Sequence, residues 1–155
     1  MEALILTVLL TSVPLILAAT GELIAEKSGV LNLGVEGMML MGAVAAFAIT
    51  SLSGNPYFGI ISAALAGGIT AAVFAVFSLG LATNQVATGL ALTIFGAGLS
   101  GLIGAPYVGG TIEGLNALAI PFLCDLPVFG GLLFNLDPLA YFSILILGIV
   151  GYFLN

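Results

Sequence analysis

Residues 26–43 read "EKSGVLNLGVEGMMLMGA". Most of the stretch is apolar enough for a lipid bilayer, yet it carries Asn32, Glu36 and four glycines, Gly29, Gly34, Gly37 and Gly42. In a continuous helix Asn32 and Glu36 stand at i and i+4, on one face. Val30, Leu31, Leu33, Val35, Leu40, Val44, Phe47 and Ile49 together favour membrane insertion by about 2 to 5 kcal/mol. A central acid costs about 3 kcal/mol. Gly34 and Gly37 each weaken a helix by about 1 kcal/mol relative to Ala. The segment therefore breaks even alone and needs protein neighbours, water or a broken backbone around its polar turn. Two readings of Glu36 stand side by side: an interrupted helix lining a cavity, or a carboxylate near the membrane surface that reaches water.

The rest of the chain has the same character. Its 155 residues are 61% hydrophobic and 5% charged, and mean hydropathy is +1.34. A soluble domain carries roughly 25% charged residues on its water-facing surface. This chain cannot cover a globule with polar groups, so it is read as an integral membrane protein. Seven acids face one base, Lys27, which excludes the basic footprint of nucleic-acid binding. With no His and a single Cys, Cys124, there is no metal-ligand set, no intramolecular disulfide and no expected cofactor. No catalytic residue is assigned. Glu36 stands alone where intramembrane hydrolysis needs converging acids or an activated nucleophile.

A spanning helix needs about 20 apolar residues. Five segments are expected: 3–24, 30–50, 57–82, 84–104 and 138–155, giving an all-α, polytopic transmembrane bundle in one domain. The N-terminal "MEALILTVLLTSVPLILAAT" has Glu2 in place of a basic n-region and no clear small-x-small cleavage site. It is read as a retained span, with Pro14 as a candidate kink. Gly29 is a candidate left-handed cap, and "SLSGNP" (51–56) a turn. The third segment is about 39 Å long if fully helical, longer than the ~30 Å hydrocarbon core. Residues 105–137, with Pro106, Pro121 and Pro127, form a long loop, in which "LNALAIPFL" (115–123) suggests a short interfacial helix.

Lys27 favours a cytoplasmic turn between the first two helices. The N-terminus and the long loop then lie outside, with Tyr57, Tyr107 and Tyr141 near the outer interface. Small residues recur at intervals of four (Ala64, Gly68, Ala72) and three (Gly98, Gly101, Gly104), a pattern that lets membrane helices approach closely. Asn84 and Gln85 open the fourth segment. Asn84 reads as an N-cap, or the two amides as lining the inner mouth of a pathway.

Three stretches carry a family resemblance: "GELIAEKSGVLNLGVEGMMLMGA" (21–43), "NQVATGLALTIFGAGL" (84–99) and "AIPFLCDLPVFGGLLFNLDPLAYFSI" (119–144). In this order they resemble permease subunits of ABC importers of the ribose/nucleoside/branched-chain amino acid class, most closely the nucleoside and simple-sugar branch. The resemblance implies a bacterial-type plasma (inner) membrane location and a second permease subunit, identical or homologous. It also implies two cytoplasmic ATP-binding subunits, where ATP hydrolysis would reside, and an external substrate-binding protein. Family members continue past the fifth helix into a basic segment and a coupling helix, so the chain is expected to match an N-terminal half. Asn32, Glu36, Asn84 and Gln85 are the candidates for polar positions near a substrate path. Gly34, Gly37 and the two small-residue stripes are the candidates for helix packing. The alternative is a truncated, non-transporting structural or assembly subunit acting through its glycine faces.

Overall fold

The computed structural model describes residues 2–119 and 135–154. In chain order the elements are α1 (Glu2–Lys27), α2 (Val35–Ser53), α3 (Pro56–Ala75), α4 (Gln85–Gly104), β1 (Leu118–Ala119), β2 (Asn135–Leu136) and α5 (Pro138–Leu154). A π turn, Val76–Gly80, extends α3, and a 3-10 turn, Ala105–Tyr107, extends α4. Among the described residues, four helical stretches are long and apolar enough to cross a membrane: Leu4–Lys27, Val35–Ser53, Pro56–Gly80 and Gln85–Tyr107. The fifth expected span forms the shorter apolar helix α5, 17 residues long. At 1.5 Å per residue it measures about 26 Å, slightly less than a ~30 Å hydrocarbon core. The chain is a multi-pass membrane protein, and its fold is an all-α bundle with, among the described residues, one two-residue antiparallel ladder.

Two compact units make up the fold, one holding residues 1–24 and 115–155, the other residues 25–114. In the first, Val13, Leu136 and Ala140 form a small apolar core, flanked by Leu6, Leu10, Leu17, Leu139 and Tyr141. The β1–β2 ladder pairs Leu118 with Leu136 and Ala119 with Asn135. The Tyr141 hydroxyl accepts from the Leu136 N–H (3.3 Å) and donates to the Leu118 carbonyl (3.5 Å). The interfacial helix expected over 115–123 does not form in its described part. Residues 115–117 are irregular and 118–119 are extended, while 120–123 lie outside the described residues, as does Cys124. The ladder gives these backbone groups cross-strand partners where a run this short, ended by Pro121, offers few helical ones.

Helix ends follow local chemistry. After α1, Gly29 takes φ +81°, its N–H bonding to Glu26 O and that of Val30 to Ala25 O. This is the paired closure of a glycine-capped helix. Asn55 caps α3 by accepting from the Tyr57 N–H (3.0 Å), with Pro56 at the first helical position. Asn84 caps α4 by accepting from the Ala87 N–H (3.0 Å). Two boundaries differ from the sequence expectation. Helix α2 starts at Val35, not at residue 30. Regular α geometry in α3 stops at Ala75 rather than near 82, where the π turn gives way to Ala82 at φ +51°. There the Thr83 N–H and hydroxyl both bond to Phe77 O (3.1 and 2.9 Å), satisfying a carbonyl that the wider turn frees. Pro14 leaves α1 helical throughout.

Burial is inverted relative to a soluble protein. Thr20, Thr50, Thr70, Ser78 and Ser143 are buried, with Ser143 only 1% exposed, while Ile94 and Leu102 are 75% and 73% exposed. In lipid, large apolar side chains gain little by facing one another, and small residues let backbones close up. Within the second unit α2 packs on both α3 and α4. On the α3 side the Ser62 hydroxyl reaches Ala45 O (3.0 Å). A Cβ on Gly42 would stand 3.3 Å from Ala63 O, and one on Gly59 would collide with Thr50 Oγ1. At the far end of α4, Tyr107 packs edge-on against Phe47, centroids 6.0 Å apart.

Candidate functional site

The site is built where the chain passes from α1 to α2. Between Lys27 and Val35 the chain is not helical, so Asn32 precedes α2 by three residues. The expected shared helical face of Asn32 and Glu36 does not exist. Instead Asn32 Oδ1 accepts from the Gly34 N–H (2.9 Å), an Asx turn, and its Nδ2 points to Met38 Sδ (3.6 Å). The turn gives a backbone group a partner in the place where the helix ladder is missing. Glu36 lies in the first turn of α2 and is exposed on the described chain. A carboxylate there is favoured by the positive end of the helix, an effect of about 0.3–1 kcal/mol at an exposed site.

Helix α4 lies against this non-helical stretch. Gln85 Oε1 accepts from the Leu31 N–H at 2.8 Å. Two turns further on, the Thr93 hydroxyl donates to Leu33 O at 2.8 Å. Between them the backbones touch through missing side chains. A Cβ on Gly89 would stand 2.8 Å from Leu33 N and 2.9 Å from Gly34 N. One on Gly37 would stand 2.5 Å from Leu92 O, and one on Gly96 2.6 Å from Gly37 O. Real Cβ atoms do not approach so closely, so glycine is required at all three positions for the backbones to meet. Of the sequence candidates, Asn32, Gln85, Gly34 and Gly37 are brought together here. Asn84 spends its side chain on the α4 cap.

The small-residue stripes behave otherwise. Gly104 meets Val44 Cγ2 at 3.5 Å, but a Cβ on Gly68, Gly98 or Gly101 would meet nothing within 4 Å. Ala64 and Ala72 are exposed. Sequence reasoning missed Gly89, Thr93 and Gly96. Together with Gln85 and Leu92 they occur at i, i+4, i+7, i+8 and i+11, one stripe of a helix, and that spacing was the signal available. The adjoining flank of α4, sharing Leu92, borders an apolar groove of about 500 Å³, lined by Val73, Phe74, Phe77, Ala91, Leu92 and Phe95.

Chemically, the non-helical stretch presents an amide side chain and backbone dipoles without a cation; the chain's one base, Lys27, ends α1.

Residues 4–154 match the family model described as branched-chain amino acid transport system / permease component. The ABC transporter permease protein TsgC13 of Haloferax volcanii is 40% identical over 144 residues, 90% of this chain and 44% of that protein. The nucleoside ABC transporter permease protein NupC of Lactococcus lactis is 26% identical over 163 residues, covering 99% of this chain and 51% of that protein. The guanosine ABC transporter permease protein NupQ of Bacillus subtilis is 28% identical over 138 residues, 82% of this chain and 43% of that protein. The chain thus spans about half the length of these curated relatives. No solved structure matches it. With a family match over nearly its whole length, the chain belongs to the branched-chain amino acid transport system permease family.

Proposed function

We propose that this chain forms part of the permease of an ATP-binding-cassette importer and lines a path for nucleosides or simple sugars. The observation that carries the reading is the non-helical stretch Val30–Gly34 ahead of α2: in a family of permeases, this apolar segment with its amide is tied to α4 by hydrogen bonds. Non-helical backbone beside a spanning helix supplies polar groups to the path in transporters. The relatives' names support the substrate class, since they include the nucleoside and guanosine permeases above and the glucose ABC transporter permease protein TsgB13 of Haloferax volcanii. In this reading Asn32, Glu36 and Gln85 border the path, and Asn84 fixes the start of α4 beside it. Glu36 accepts hydrogen bonds from solute hydroxyls. A second permease subunit completes the path, two cytoplasmic ATP-binding subunits drive it, and an external binding protein delivers the solute. The N-terminus lies outside and Lys27 inside.

Uptake of labelled guanosine, glucose and leucine, compared between a gene-disrupted strain and its parent, tests this. Loss of guanosine or glucose uptake with leucine unaffected is expected. Loss of leucine uptake alone overturns the substrate class, and no change in any of the three overturns the transport reading. Complementation with the full-length gene carrying Glu36→Gln should restore insertion but only reduced uptake. Full uptake removes Glu36 from the path.

A further inference from the structure

Helix α4 holds the non-helical stretch by two side chains of opposite hydrogen-bonding sense. Gln85 acts as an acceptor, toward the Leu31 N–H, and Thr93 as a donor, toward Leu33 O, both at 2.8 Å. The two partners lie 54 and 60 residues away along the chain. Between the two bonds, Gly89 lets the α4 backbone come against Leu33 and Gly34. Preceding the stretch, Gly29 at φ +81° closes α1; following it, α2 begins at Val35. The stretch thus has its own fastenings to α4, separate from the helices that continue it along the chain.

We propose that Gln85 and Thr93 are positioning residues that fasten residues 30–34 to α4, so that this stretch moves with α4 when the permease rearranges. This rests on the transport reading given above. The chemistry is specific. Glutamate in place of Gln85 keeps the acceptor, and leucine removes it at similar size. Serine in place of Thr93 keeps the donor, and valine removes it while keeping the volume. A purely packing role ranks Thr93→Val above Thr93→Ser; a fastening role ranks them the other way.

The test is amide hydrogen exchange of the peptide covering residues 29–37, measured without substrate on the full-length permease in lipid nanodiscs, alongside uptake in cells. Thr93→Val and Gln85→Leu are expected to speed exchange about threefold, with roughly 18-fold as the ceiling, given the measured strengths of hydrogen bonds between membrane helices. Thr93→Ser and Gln85→Glu should stay near wild type. Uptake should follow the same ranking through its maximal rate, at equal protein in the membrane. Unchanged exchange in Thr93→Val, or Thr93→Ser behaving like Thr93→Val, overturns the fastening. If Gln85→Leu fails to insert, the Thr93 pair decides alone. A permease that follows the exchange ranking yet carries no solute overturns the transport reading and leaves the fastening in place.

Discussion

Two sets of glycines in the same unit have opposite surroundings. Gly37, Gly89 and Gly96 lie where a single added carbon would sit 2.5–2.8 Å from another segment's backbone. Gly68, Gly98 and Gly101 face nothing within 4 Å. In sequence the second set looks the more regular, with its even spacing and its extension to Ala64, Ala72 and Gly104. Regular spacing shows only that one helix face is smooth. Whether a backbone is pressed against that face depends on a partner elsewhere in the chain. The crowded glycines are the ones another backbone is pressed against: Gly89 meets Leu33 and Gly34, while Gly37 and Gly96 bring α2 and α4 together.

The largest effect that tests this contrast is expected from Gly37→Ala and Gly96→Ala. Each puts a methyl into backbone atoms, Leu92 O in one case and Gly37 O in the other, and backbone yields less readily than a side-chain tip. Overpacking of this kind costs about 1–3 kcal/mol, partly offset by the better helix propensity of Ala, about 1 kcal/mol. Both variants should lower the melting temperature of the detergent-solubilised permease and its level in the membrane. Wild-type melting in both would mean that α2 and α4 do not cross at these glycines.

What the sequence made legible was local. Gly29, the Asn55–Pro56 pair and Asn84 each terminate or start a helix through bonds to residues within five positions. Their residue types suffice to predict them. The start of α2 was not legible in the same way. Val30, Leu31 and Leu33 are as apolar as any helical segment, and what keeps them out of the helix includes Gln85 and Thr93, 54 and 60 residues on. Pro14 was legible as a residue inside the first helix, and α1 continues through it. At the site, Asn32 and Gln85 were visible as amides out of place in lipid, but their partnership with one segment was not. Glu36 drew attention by its charge, and the helix start explains its position as well as a solute does.

A smaller effect separates the two amides at the start of α4. Asn84→Ala removes the bond to the Ala87 N–H and should cost about 1 kcal/mol, visible as a modest drop in melting temperature. Asn84→Asp should restore it, because a carboxylate also caps. Exchange in the peptide covering residues 29–37 should be little altered by either change, since the bond to Leu31 comes from Gln85 and not from Asn84. If Asn84→Ala loosens that peptide as much as Gln85→Leu does, the cap and the fastening are one unit, and the contrast between local and long-range bonds dissolves at this point.

The smallest effect on stability is expected at the open glycines, where it carries the most information about assembly. Gly98→Ala and Gly101→Ala add a methyl to space that the described chain leaves empty. Helix propensity alone then favours the variants by up to about 1 kcal/mol each, so melting of the isolated subunit should stay level or rise. The same substitutions read in the assembled permease test whether that face remains open. Unchanged uptake and unchanged subunit association mean that it meets only lipid, which accepts a methyl at no cost. Lost association, in a subunit that melts at or above the wild-type temperature, means that another helix presses on Gly98 and Gly101 as α2 presses on Gly96. The two glycine sets would then differ only in where their partner comes from, within the chain or beyond it.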